Sequence, residues 1–185
     1  MNPLFAAAID VERHCQSQGW RFCFIGALAV IRWGEPRLTR DVDVTLLTGF
    51  GGEERYIDAL LSRYQARRDD ARQFAVQYRV VLIEVGDVPV DVALGAMPFE
   101  ERAVSRATAW ALSAGHSIRT CSAEDLVVLK AFAGRDQDWL DIAGIVIRQG
   151  ERLDAELILD ELGPLLDLKG TTEDLARVER LLARP

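Results

Sequence analysis

The chain has 185 residues, 49% of them hydrophobic, with a mean hydropathy near zero. That is enough apolar matter for a real core, and no apolar run is long enough to span a bilayer. The formal net charge of −7 argues against a broad phosphate-binding face, and three cysteines without Cys-x-x-Cys spacing argue against a disulfide framework or zinc site.

The opening stretch, "MNPLFAAAIDVERHCQSQGW", has no basic segment before its apolar patch and no clear cleavage site. It predicts an amphipathic helix over residues 3–18 rather than a signal peptide, and hence a cytoplasmic protein. "RFCFIG" predicts a buried strand ended by Gly26, and "ALAVIRW" one or two helical turns. "GEPR" is a turn, punctuated by Gly34 and Pro36. "DVDVTLL" reads as a strand rich in β-branched residues. "GGEERYIDALLSRYQARR" reads as a helix, with Tyr56, Leu60 and Tyr64 four residues apart.

"QFAVQY", "RVVLIEV" and "VPVDVAL" follow as extended segments, the last two joined by the tight turn Gly86-Asp87. "RAVSRATAWAL" and "HSIRTCS" predict a further hairpin around Ser113-Ala114-Gly115. Ser122 caps a helix whose first turn carries Glu124 and Asp125, which suits the helix dipole. Everything from Asp136 onward is helical in pattern. The expectation is an α/β (α+β) chain: a core over residues 1–121 built on a mixed β-sheet flanked by helices, with a helical region, 122–185, packed on it. Arg63, Arg67, Arg68, Arg72 and Arg79 cluster, as a solvated helix end or as a face for an anionic substrate.

Two aspartates interrupt the strand "DVDVTLL". Residues i and i+2 of a strand share a face, so Asp41 and Asp43 project together about 6.5 to 7 Å apart, while Val42 and Val44 point into the core. Asp91 sits between valines in "VPVDVAL", a strand that could lie beside the first at about 4.8 Å. Three carboxylates gathered in this way repel unless a cation joins them. Magnesium favours a few carboxylates plus substrate phosphates, and two such ions suit an in-line displacement. A D-x-D pair by itself is commonly just solvated. Gly26, opening a short helix after a buried strand, adds a backbone that can approach an anion closely.

The succession "FIGALAVIRWGEPRLTRDVDV" then "VPVDVAL" resembles the nucleotidyltransferase superfamily that includes DNA polymerase β. The spacing G-x-P-R-x-T-x-D-x-D is most similar to the minimal and the AbiEii-type toxin nucleotidyltransferases. "SAEDLVVLKAFAGRDQDWLDI" matches that group's helix pair through Lys130, Arg135, Asp138, Asp141 and Ile142. The resemblance spans residues 22–142. It implies the nucleotidyltransferase fold and transfer of a nucleoside monophosphate from an NTP to a hydroxyl on RNA such as a tRNA end, on a protein or on a small molecule. Asp41, Asp43 and Asp91 would be catalytic and hold Mg²⁺, with two ions or with Mn²⁺ in its place. Gly26, Ala27, Arg37, Thr39 and Lys130 would bind the nucleotide, and an antitoxin would be a partner. The chain departs from the pattern at Ala27, where relatives carry glycine or serine, and at Gln137, where many carry lysine. The fold without turnover would serve as a binding or antitoxin module, and the same cluster would also suit a metal-dependent phosphohydrolase.

Overall fold

The computed structural model describes residues 2–113 and 115–183. Ala114, at the centre of the expected second hairpin turn, lies outside them. The chain divides into two compact units, residues 1–28 with 38–121 and residues 29–37 with 122–185. The segment 29–37 therefore groups with the C-terminal helices instead of the sheet that precedes and follows it in sequence.

The first unit begins with α1 (Pro3–Ser17), where Asn2 Oδ1 accepts from the Leu4 amide at 2.9 Å and Pro3 fills a position that needs no N–H. β1 (Phe22–Ile25) runs into α2 (Gly26–Trp33), and β2 (Val42–Leu47) follows the intervening loop. Then come α3 (Glu54–Arg63), β3 (Gln65–Ala66), α4 (Ala71–Tyr78), β4 (Val80–Val85), β5 (Val88–Gly95), α5 (Pro98–Arg106), β6 (Thr108–Ser113) and β7 (His116–Thr120). The strands form one mixed seven-stranded sheet in the order β3-β4-β5-β2-β1-β7-β6. β2 pairs parallel with β5 and β1 parallel with β7; the other neighbours are antiparallel. Val42, Val44 and Leu46 on β2, Val90, Val92 and Leu94 on β5, and Val81 and Ile83 on β4 are all buried. This period-two alternation makes the core face of the sheet and leaves the intervening residues for the other face.

The second unit contains the remainder of α2 and four helices: α6 (Ala123–Ala133), α7 (Asp136–Gln149), α8 (Ala155–Lys169) and α9 (Glu173–Leu182). Ser122 caps α6, its Oγ accepting from the Asp125 amide at 3.0 Å. Val30, Leu126, Ile142, Ile145, Ile158, Leu162 and Leu166 fill the interior. The loop after α2 lies close against α7. A Cβ on Gly144 would stand 3.3 Å from the Glu35 backbone nitrogen, and one on Gly34 would stand 2.9 Å from Ile145 Cγ1. Among the described residues no helix is long and apolar enough to cross a membrane.

Four local expectations are corrected. Asp41 precedes β2 and does not lie within it. The helix expected over 51–68 stops at Arg63, because Gln65 and Ala66 pair with Glu84 and Ile83 of β4. "QFAVQY" lies in helix α4, where Ala71 and Ala75, four apart, are the buried pair. "RAVSR" belongs to α5, whose start is set by Pro98 and by Glu100, whose Oε2 accepts from the amides of Ala96 and Met97 at 2.8 Å each.

Candidate active site

The parallel pairing of β2 with β5 sets Asp43 opposite Asp91, in a register that also joins Val42 to Val90 and Val44 to Val92. The two aspartates are thus cross-strand neighbours about 4.8 Å apart at the backbone. Both are half-buried. Their valine neighbours are sealed in the core, so the alternation that builds the sheet also turns these side chains out on the other face. Across β2 from Asp91, Asp43 is paired with Ile25, the last residue of β1.

Gly26 follows Ile25 at once and adopts φ +59°, a left-handed conformation that side chains disfavour. A Cβ there would stand 2.6 Å from Asp43 Cγ. Only a glycine lets β1 turn into α2 with Asp43 beside it. Ala27, in the first turn of α2, is buried, so its small side chain packs inward. Asp41 is exposed, and Thr39 Oγ1 donates to its Oδ1 at 2.7 Å, so Thr39 shapes the approach to the strand.

Burial pushes the Asp91 carboxyl above the ordinary aspartate range; the charge of Arg67 opposes this and that of Asp41 adds to it. Arg67 Nη2 donates directly to Asp91 Oδ1. As the side chains stand, no group of three or more His, Cys, Asp or Glu among the described residues could hold a metal ion. Asp41 is turned to Thr39 and Asp91 to Arg67. The donor chemistry still suits a hard divalent cation, since every donor is a carboxylate oxygen. Asp91 lies near enough to Asp41 to feel its charge, a repulsion that a cation relieves.

In the second unit, Arg37 and Lys130 meet at one carboxylate. Arg37 Nε donates to Asp141 Oδ1 at 2.9 Å and its Nη2 to Oδ2 at 3.1 Å. Lys130 Nζ lies 2.9 Å from Asp141 Oδ2 and 2.8 Å from Asp138 Oδ1. Lys130 is only 6% exposed. Gln137 Nε2 adds a 3.0 Å bond to Asp141, and Arg135 Nε one of 2.7 Å to Asp138. Burial resists the charge on both aspartates. For Asp138 the bonds from Arg135 and Lys130 outweigh it, and for Asp141 those from Arg37, Lys130 and Gln137 do, so both carboxyls lie below the usual range. The expected site residues therefore fall into two groups, with Gly26, Ala27, Thr39, Asp41, Asp43 and Asp91 in the sheet unit and Arg37 and Lys130 in the helical unit.

Sequence reading missed the particular place of Arg67, because the stretch was expected to be helical. The available signal was Asp69-Asp70 ahead of a fresh apolar period at Ala71, Phe74 and Ala75, which marks a new helix and leaves residues 65–68 outside both. The rest of the arginine cluster has ordinary surface partners: Arg63 with Asp10, Arg68 with Asp70, and Arg72 with Glu54 and Asp58. Arg79 joins Glu53 and the carbonyls of Gly49 and Leu94.

A mixed sheet with a glycine turn into a short helix, a D-x-D at the head of the next strand and a third aspartate beside it defines the nucleotidyltransferase class. The chain belongs to the AbiEii nucleotidyltransferase toxin family: residues 14–183 match the model described as "Nucleotidyl transferase AbiEii toxin, Type IV TA system". Two solved structures have a similar fold. One is the antibiotic-resistance factor ANT(2'')-Ia, in its solution structure, at TM-score 0.57 and 16% identity, covering 94% of this chain and 95% of that one. The other is an antigenic nucleotidyltransferase-like protein from Paracoccidioides brasiliensis, at TM-score 0.51 and 13% identity, covering 95% and 92%. No curated protein matches the chain.

Proposed function

We propose that this nucleotidyltransferase moves a nucleoside monophosphate from an NTP to a hydroxyl of RNA, such as a tRNA end, or of a protein, releases pyrophosphate, and does so as the toxin of a toxin–antitoxin pair in the cytoplasm. The register of Asp43 with Asp91 beside the Gly26 turn is the observation that carries this reading. Asp41, Asp43 and Asp91 would hold Mg²⁺, or Mn²⁺ in its place. When bound, such ions neutralise phosphate charge and polarise the reacting oxygens.

The chain's own residues supply the rest. The first amides of α2, from Gly26 and Ala27, serve in this reading as donors for the β- and γ-phosphates. Asp91 accepts the proton of the acceptor hydroxyl. Thr39 holds Asp41. In the helical unit, Lys130 and Arg37, braced by Asp138 and Asp141, are the cations this reading assigns to nucleotide binding.

Incubation with α-labelled NTPs, Mg²⁺ and total RNA or lysate tests the reading. Label should enter macromolecules and pyrophosphate should appear, and Asp43→Ala should abolish both without unfolding the protein. Substantial transfer by that variant overturns the assignment. Free phosphate released without an acceptor would mark a phosphohydrolase instead.

A further inference from the structure

The strand register that joins Asp43 to Asp91 continues outward to the sheet edge. Asp91 is opposite Leu82 on β4. The Arg67 amide, one residue beyond β3, donates to the Leu82 carbonyl at 3.1 Å. Arg67, Leu82, Asp91, Asp43 and Ile25 therefore form one row across five chain segments. Adjacent strands are about 4.8 Å apart, so Arg67 begins two strands away from Asp91. An arginine is long enough to cross Leu82, and its Nη2 reaches Asp91 Oδ1.

Both ends of this pair are partly sheltered, with side-chain exposures of 26% for Arg67 and 38% for Asp91. The bond is thus better protected from water than those of Arg68 and Arg72, whose partners are neighbours on the surface. Arg63, Arg68, Arg72 and Arg79 are bonded to other carboxylates, whereas Arg67 is bonded to an aspartate of the candidate site. The positive charge of this guanidinium, held on Asp91 Oδ1, opposes a cation at the same carboxylate.

We propose that Arg67 is the built-in counter-ion of Asp91, and that a divalent cation must displace it to bind. The inference rests on the cation reading above. It adds a positioning residue that holds cation affinity down when nucleotide is absent. The displaced guanidinium remains at the site as a donor for the incoming triphosphate, because arginine pairs readily with phosphate oxygens. Cation and nucleotide then bind more tightly together than either does alone, in the reciprocal manner that linkage requires.

Mn²⁺ binding to the full chain without nucleotide, followed by the electron paramagnetic resonance signal of free Mn²⁺, tests this. Arg67→Gln should bind Mn²⁺ about 5-fold or more tightly than the wild type, and Arg67→Lys should stay close to the wild type. The gain should vanish when Asp91→Asn is added. If Arg67→Gln binds Mn²⁺ equally or more weakly while Asp91→Asn weakens binding, the role of Arg67 is overturned and the cation reading stands. If neither Asp43→Ala nor Asp91→Asn changes Mn²⁺ binding, both fall. Thermal melts of each variant establish that the fold persists.

Discussion

The backbone of Gly26 lies against the carboxylate of Asp43, close enough that a single added methyl would collide with it. This makes one glycine answerable for two things: the turn from β1 into α2 and the position of the aspartate. Gly26→Ala should therefore lose NMP transfer entirely. Gly86 provides the control. It has φ +63°, almost the same backbone, with nothing within 4 Å of its missing Cβ. Gly86→Ala should cost about 1–2 kcal/mol of stability for the left-handed strain and keep its activity. Melting curves and transfer assays on the two variants separate strain from collision.

Lys130 is buried between Asp138 and Asp141. Lys130→Met would leave two sheltered carboxylates short of a cation, at a cost of about 3–5 kcal/mol. Arg135 bonds the same Asp138, but its side chain is 75% exposed. Arg135→Ala should cost under about 1 kcal/mol. Urea titration of both variants should show this contrast.

The depressed carboxyls of Asp138 and Asp141 give stability a direction with pH. Their contribution is present in full above the ordinary aspartate value of 3.8 and is lost as pH falls through their lower folded values. Glu12 has the opposite sign: burial raises its carboxyl, so its contribution is present below the ordinary glutamate value of 4.5 and fades as pH rises through the folded one. The melting temperature should fall steeply below about pH 4 in the wild type. The acid limb should flatten in Lys130→Met, as followed by circular dichroism between pH 2.5 and 6.

Gly144 admits the Glu35 backbone to the surface of α7. Gly144→Val should push this loop away and loosen the Arg37–Asp141 pair, destabilising the helical unit by about 1–3 kcal/mol. Faster cleavage by trypsin after Arg37 would report it directly.

The strong alternations at 42–47, 80–85 and 88–95 were legible as strands because one face of each is uninterrupted Val, Ile or Leu. The Gly86 turn was legible for its own reason, a backbone that only glycine adopts cheaply. "QFAVQY" was not, since its spacing satisfies both a period of two and a period of four. Its helix is decided by the burial of Ala71 and Ala75 and by Phe74 against Tyr78 at 4.6 Å. The neighbourhood of Asp43 and Asp91 follows from strand pattern, and the closeness of Gly26 follows from the turn. The Arg37–Asp141 bond joins residues 104 apart in sequence and had no local trace. Arg67 was hidden for a related reason: two residues of edge strand, too short to show a period, set its position.

The assignment of residues 29–37 to the C-terminal helices has a consequence for biosynthesis. Ala29 and Val30 emerge from the ribosome with the sheet segments but find their apolar neighbours only after Ser122 and the helices behind it have been made. Until then the second half of α2 lacks the helices it groups with, an invitation to chaperones. A protease cut after Cys121 would strand that helix on the wrong fragment, so neither product would be a whole unit.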